Sequence, residues 1–278
     1  MKLTVLTDNN TLIDKYYLGE PGVSYLLEEN GSKVLFDTGY SDVFIRNAQK
    51  MGIDLLELDY IVISHGHLDH TGGLEPLLRL FTEAGLEGRQ YKRPVLLAHP
   101  LAFKRKYQQG AGEIGALVSE DRLATCMEIR HSRDPMWISE QLVFLGQIPR
   151  VFDFEAKETI GCIIEDDHSS PDSILDDTAM VFKTVSGLVI ITGCSHSGIC
   201  NIIRYAKEVC KEERIVDIVG GFHLLRPSTE RLEGTMDHLE KTKPQRVHAC
   251  HCIDLMSKIA LSHACNIEEV GVGLEIQY

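Results

Sequence analysis

Between Ile63 and Gly73 the chain reads ISHGHLDHTGG, which packs His65, His67, Asp69 and His70 into six residues. Neutral imidazole and carboxylate suit Zn, Mn or Fe, whereas an all-oxygen set suits Mg or Ca. An irregular backbone here can turn His65 and His67 toward one point and Asp69 and His70 toward an adjacent one. The loop can therefore supply half the ligands of two metals. Two cations a few ångströms apart lower the pKa of a shared water and neutralise charge on a leaving oxygen. The plainer alternative is a solvated polar loop, and three histidines in six residues are a heavy loading for one.

Further segments carry matching residue types. Cys194 and His196 in TGCSHSG follow the apolar run GLVIITG, and His223 in GGFHL follows IVDIVGG. His248, Cys250, His251 and Cys252 in HACHC follow a run at 245–247, and His168 sits among acidic residues in EDDHSSPDS. Each alone is more often structural than catalytic; four of them, beside the first cluster, favour ligands. Asp37 in LFDTG is either an Asx turn or a carboxylate that orients a ligand histidine. Asp176 and Asp177 read as turn residues, and Lys104–Lys106 as a solvated face or, less commonly, a phosphate contact. His99, His131, His238 and His263 read as surface or satisfied core residues.

These residues must be positioned by the elements around them. KLTVLT, VSYLLEE and KVLFDTG read as strands, Ser41 as the cap of a helix ending near Gly52, and LDYIVIS as a strand buried on both faces. A helix from about Leu74 to Glu83 leads to the strand PVLLAHP. TAMVFKTVSGLVIITG reads as two strands joined by a Ser186-Gly187 turn, followed by alternating helices and strands to the end. Residues 100–160 are the least regular, and KRKYQQGAGEIG reads as a loop or lid. Two strand-rich halves trailing into helices suggest a β-sandwich with helices outside. The polar clusters follow strands, where loops converge on one rim.

His65-x-His67-x-Asp69-His70 after an apolar strand, followed by Thr71-Gly72-Gly73, resembles the metallo-β-lactamase superfamily. The resemblance implies an α/β fold, the αββα sandwich of the metallo-β-lactamase fold, with a dinuclear site on the rim where two sheets meet. LFDTG looks like the early aspartate motif, Cys194 stands where most members have a bridging aspartate, and His251 looks like the final ligand histidine. His65 and His67 would then hold one metal together with His168 or His196; Asp69, His70, Cys194 and His251 would hold the other. The implied cofactors are two divalent metals per chain, zinc first, with manganese or iron as alternatives. Asp69 doubles as the residue that positions a proton, and His223 is the candidate substrate contact or proton donor.

A narrower resemblance covers nearly the whole chain. SHGHLDHTGGL, GQIPR, DDTAMVFKTVSGLVIITGCSHSGICNI, GGFHL and HACHC together are similar to one branch of that superfamily. Its named archaeal activity is 7,8-dihydropterin-6-methyl-4-(β-D-ribofuranosyl)aminobenzene-5'-phosphate synthase, which joins a dihydropterin diphosphate to a phosphorylated ribosyl-arylamine. The last motif of that branch usually reads HCTG; here it is HCID. The expected function is metal-dependent hydrolysis of a phosphate-bearing small molecule, with the synthase-type transfer as one alternative and a di-iron redox protein as another. A purely structural zinc needs a closed cluster of about four ligands, and the ligand types here outnumber one metal.

Composition bounds these readings. With 278 residues, 44% hydrophobic and 25% charged, the chain can bury one large core. The expectation is a single domain over 1–278, with a lid or insertion at about 100–160. A net charge of -13, from 28 basic and 41 acidic residues, disfavours a nucleic-acid partner. MKLTVLTDNNTLIDKYY lacks a signal-peptide core, and no segment approaches the roughly 18 consecutive apolar residues of a membrane span. The expected setting is the cytoplasm, with the eight cysteines as thiols or metal ligands. Nothing in the sequence indicates an oligomeric state.

Overall fold

A computed structural model describes residues 1–165 and 168–278. The chain divides into two compact units: Met1–Ser132 with Gly161–Asp172 and Gly271–Tyr278, and Arg133–Ile160 with Ser173–Val270.

The larger sheet of the first unit comprises β1 (Lys2–Thr7), β2 (Ser24–Glu29), β3 (Ser32–Phe36), β4 (Tyr60–Val62), β5 (Val95–Ala98), β8 (Glu128–His131) and β17 (Glu275–Gln277). The strand order is β17-β1-β2-β3-β4-β5-β8. β3, β4, β5 and β8 run parallel, so their connections cross over through helices and their C-terminal loops gather at one edge. The helices are α1 (Val43–Lys50), the single turn α2 (Leu68–Thr71), α3 (Leu74–Leu86) and α4 (Glu120–Leu123). Phe44, Ile45 and Ala48 of α1 and Leu74, Leu77, Phe81 and Ala84 of α3 recur at helical spacing and pack with Leu26, Leu35, Ile61 and Leu96. Leu27, Val34, Phe36, Val62 and Leu97 of the same strands are buried too, so the sheet is covered on both faces, as the apolar run LDYIVIS requires. Asp42 holds the N-cap position of α1 without a side-chain bond, and Ser41 Oγ accepts from the Val43 amide at 3.3 Å.

A second sheet of this unit, in order β12-β11-β6-β7, comprises β6 (Arg105–Gln108), β7 (Gly112–Glu113), β11 (Cys162–Glu165) and β12 (His168–Pro171). The stretch KRKYQQGAGEIG, read from sequence as a loop, is therefore a hairpin. Its strands show little apolar alternation because most of their side chains are exposed. Lys106 is the exception, and it corrects the reading of Lys104–Lys106 as a solvated face. Its side chain is fully buried, with Nζ 2.7 Å from Asp172 Oδ2.

The second unit holds β9 (Met136–Trp137), β10 (Leu142–Phe144), β13 (Ala179–Thr184), β14 (Gly187–Thr192), β15 (Ile215–Gly221) and β16 (Arg246–Cys250), in order β16-β15-β14-β13-β10-β9. β13 and β14 form the hairpin expected from sequence, and β14, β15 and β16 run parallel. The helices are α5 (Ile199–Cys210), α6 (Thr229–Thr242) and α7 (Leu255–Leu261). Ile199, Ile202, Ile203 and Ala206 of α5, with Leu239 of α6 and Leu261 of α7, pack against Val181, Ile190, Ile218 and Val247. The parallel register sets Thr192 beside Gly220, and Gly221 beside Cys250, so the loops after β14, β15 and β16 start side by side. Among the described residues, no helix is long and apolar enough to cross a membrane.

Candidate metal centre

In the first unit the histidine loop begins directly after β4, beside the end of its parallel neighbour β3. Asp37 leaves β3 in the left-handed region, at φ 58°, which turns its carboxylate toward that loop. Its Oδ1 accepts from the Ser64 amide at 2.7 Å; its Oδ2 accepts from Ser64 Oγ at 2.7 Å and lies 2.7 Å from His70 Nδ1. Asp37, Ser64 and His70 are fully buried, so the carboxylate is satisfied entirely by these donors. Of the two readings of Asp37, the structure shows the one that orients a histidine.

That contact fixes the chemistry of His70. An ionised carboxylate only accepts, so Nδ1 carries the proton and Nε2 presents a lone pair. This Nε2 lies 3.7 Å from Asp69 Oδ2, another acceptor. With His70 neutral, its Nε2 and the Asp69 carboxylate offer a nitrogen and an oxygen donor to a cation bound between them. His65 Nε2 is 3.0 Å from His67 Nδ1, and the His65 and His70 rings are 4.2 Å apart. The four residues singled out in this loop thus converge. Gly66 permits the approach: a Cβ there would sit 2.0 Å from the Ala102 carbonyl oxygen and 2.9 Å from Lys106 Cε.

In the second unit the loops after three parallel strands each contain a non-glycine residue in the left-handed region: Ser195 (φ 58°), His223 (φ 50°) and His251 (φ 56°). Such conformations are uncommon and cost energy, and they concentrate where side chains must be aimed. Cys194 Sγ lies 3.1 Å from His251 Nε2, and the His196 and His223 rings are 4.3 Å apart. Ligand atoms of Cys194, His223 and Cys252 all fall within 4.8 Å of one another. Ser195 Oγ donates to the Gly221 carbonyl at 2.6 Å and so ties the first of these loops to the second. Cys252 is buried, which opposes ionisation. Hydrogen bonds with Cys194 and His223 and the imidazoles of His251 and His223 outweigh that burial and hold its thiol well below the usual range. Thiolate and imidazole are soft to borderline donors, matched to zinc or iron rather than to magnesium or calcium.

Other residues fall elsewhere. His168 is exposed on β12, and Asp166 and Asp167 beside it lie outside the described residues. His248 contacts Asp217 at 2.9 Å within the β15–β16 pair, a structural role. Asp177, read as a turn residue, accepts from the Ser197 amide at 2.8 Å and steadies the loop carrying Cys194 and His196; burial pushes its carboxyl up to about 6. Asp254, the last residue of the altered HCID motif, caps α7 by accepting from the Ser257 amide at 2.7 Å and also accepts from the Arg226 amide at 2.6 Å. Ser64 and Arg231 escaped sequence reasoning, as did the pairing of Lys106 with Asp172. Cys252 was visible in HACHC but carried no sign of which way it points.

A family model described as the metallo-beta-lactamase superfamily matches residues 18–207. The 7,8-dihydropterin-6-methyl-4-(beta-D-ribofuranosyl)-aminobenzene-5'-phosphate synthase of Methanocaldococcus jannaschii is 28% identical over 265 residues, which cover 91% of this chain and 87% of that protein. The uncharacterized protein MJ0448 of the same organism is 29% identical over 274 residues, 98% of each chain. The crystal structure of Tm1679, a metal-dependent hydrolase of the beta-lactamase superfamily, matches with a TM-score of 0.83 at 30% identity, over 100% of this chain and 99% of that one. The family match takes in the histidine loop, Cys194 and His196, and the fold agrees with it: the chain belongs to the metallo-beta-lactamase superfamily.

Proposed function

We propose that the protein is a dinuclear-metal-dependent enzyme that hydrolyses a phosphate-bearing small molecule. The observation that carries this reading is the Asp37–His70 contact, which presents a lone pair at His70 Nε2 opposite the Asp69 carboxylate. His65, His67 and His196 serve one ion; Asp69, His70, Cys194 and His251 serve the other. His196 is preferred to His168 because it is 8% exposed beside other ligand-type residues, whereas His168 lies on an exposed strand. Zinc suits this mixed nitrogen, sulfur and oxygen set, with manganese or iron as alternatives.

When bound, such ions supply Lewis acidity and make water a stronger nucleophile near neutral pH. The chain supplies orientation. Asp69, whose side chain is 35% exposed, can accept a proton from an attacking water while the buried Asp37 holds His70 still. His223 contacts the substrate or donates a proton to the leaving group.

The Methanocaldococcus relative supports a second reading. In a synthase-type transfer, diphosphate departs from a dihydropterin diphosphate as an arylamine attacks carbon. The same ligands serve both reactions. The test is a mass-spectrometric assay of metal-loaded protein with a dihydropterin diphosphate, with and without a ribosyl-arylamine phosphate, and His67→Ala as control. A coupled product establishes transfer, and hydrolysis of the diphosphate alone establishes the primary reading. Equal turnover by the chelated protein contradicts both.

A further inference from the structure

A narrow recess in the second unit is lined by His196, His223, Arg231 and Glu158, with Ile160 and Ile174 as apolar walls. Its free volume, about 10 Å³ for the centre of a water-sized sphere, admits one oxygen-sized group and no ring. Arg231 stands on the first turn of α6, where its amide donates to Ser228 Oγ at 3.2 Å. Its side chain is 10% exposed, and its charge partner is Glu158, 3.8 Å away and 74% exposed.

At that separation the two form no hydrogen bond, and among the described residues the guanidinium has no hydrogen-bond acceptor. Its N–H donors, which keep a little contact with water, are available to a charged acceptor that enters the recess. The nearby buried Glu155 does not fill the role, because its oxygens accept from the Cys200 and Asn201 amides at 3.2 and 2.6 Å. His223 also lines the recess, and its Nδ1 is buried without a hydrogen-bond partner.

We infer that Arg231 and His223 form a subsite that receives one oxygen of a phosphoryl group of the substrate, with Glu158 as the exposed carboxylate that the phosphoryl group displaces. The inference rests on the phosphate-bearing substrate proposed above and assigns the side chains that read that charge. A planar guanidinium binds phosphoryl oxygens through two parallel hydrogen bonds, a geometry lysine cannot copy.

The test is calorimetric titration of inorganic phosphate into metal-loaded wild type, Arg231→Gln, Arg231→Lys and Glu158→Gln, with metal content measured for each. Arg231→Gln is expected to weaken binding about tenfold or more, the loss of a charge-assisted hydrogen bond, and Arg231→Lys to restore part of it. Glu158→Gln, at an exposed position, is expected to tighten binding several-fold. Unchanged affinity in Arg231→Gln at unchanged metal content overturns the inference. If that variant does not fold, unchanged affinity in Glu158→Gln overturns it. Absence of metal-dependent turnover in the wild type counts against the proposed reaction instead, and leaves this binding comparison standing.

Discussion

The histidine loop of the first unit and the cysteine–histidine loops of the second are built on different principles. The first is contiguous in sequence and held by side chains: a buried carboxylate, Asp37, takes hydrogen bonds from Ser64 and engages His70. The second is assembled from three loops far apart in sequence and aimed by backbone conformation, through left-handed residues at Ser195, His223 and His251. One depends on a buried, hydrogen-bonded carboxylate, the other on strand order and tolerated strain. Their failures should differ accordingly.

The largest expected effect is on the side-chain-held region. Lys106 lies against Gly66, between His65 and His67, and its ammonium is paired with Asp172 in a fully buried contact. Lys106→Ala removes one charge of a buried pair and should cost about 3–5 kcal/mol in a urea melt. Lys106→Met combined with Asp172→Asn should recover most of the loss, because it removes both charges. Equal losses in the single and double variants would show that the ion pair is not what supports the loop.

Asp37→Ala comes next. It removes the acceptor that fixes the His70 tautomer, and metal affinity should fall about 10–100-fold in a chelator competition. An unchanged affinity would erase the contrast drawn above.

The third concerns the second region and pH. Burial pushes the Glu155 carboxyl from 4.5 up to about 7, against hydrogen bonds from the Asn201 and Cys200 amides. The folded state therefore holds a proton that the unfolded state releases, and this contribution to stability is lost as pH rises from about 4.5 to about 7. Glu155→Gln should remove that part of the pH dependence, at the loss of one of the two backbone amide bonds to the side chain. A wild-type slope of the opposite sign would contradict it. Smallest is Ser195→Ala, which breaks the tie between the loops after β14 and β15. It should cost about 1 kcal/mol and raise hydrogen exchange in the loop after β15, while exchange in the histidine loop stays as it was.

The same contrast explains what could be read in advance. The spacing of His65, His67, Asp69 and His70 was legible because the loop is one segment, and the apolar runs before Asp37, Cys194, His223 and His251 marked them as strand-end residues. The side-by-side order of β14, β15 and β16 was not legible, because it follows from parallel pairing across intervening helices. The hairpin at β6 and β7 escaped because its exposed strands carry no apolar alternation, and Lys106 escaped because its partner lies 66 residues downstream. Sequence left open whether His168 or His196 is a ligand; His196 is buried and His168 is exposed.

The most direct test of the dinuclear reading is the metal content of the purified protein, measured by mass spectrometry alongside turnover of a phosphate ester. Two divalent ions per chain are expected, with one lost in His67→Ala, one lost in His251→Ala, and turnover lost in both. A single tightly held zinc, or full turnover in chelated protein, would contradict it.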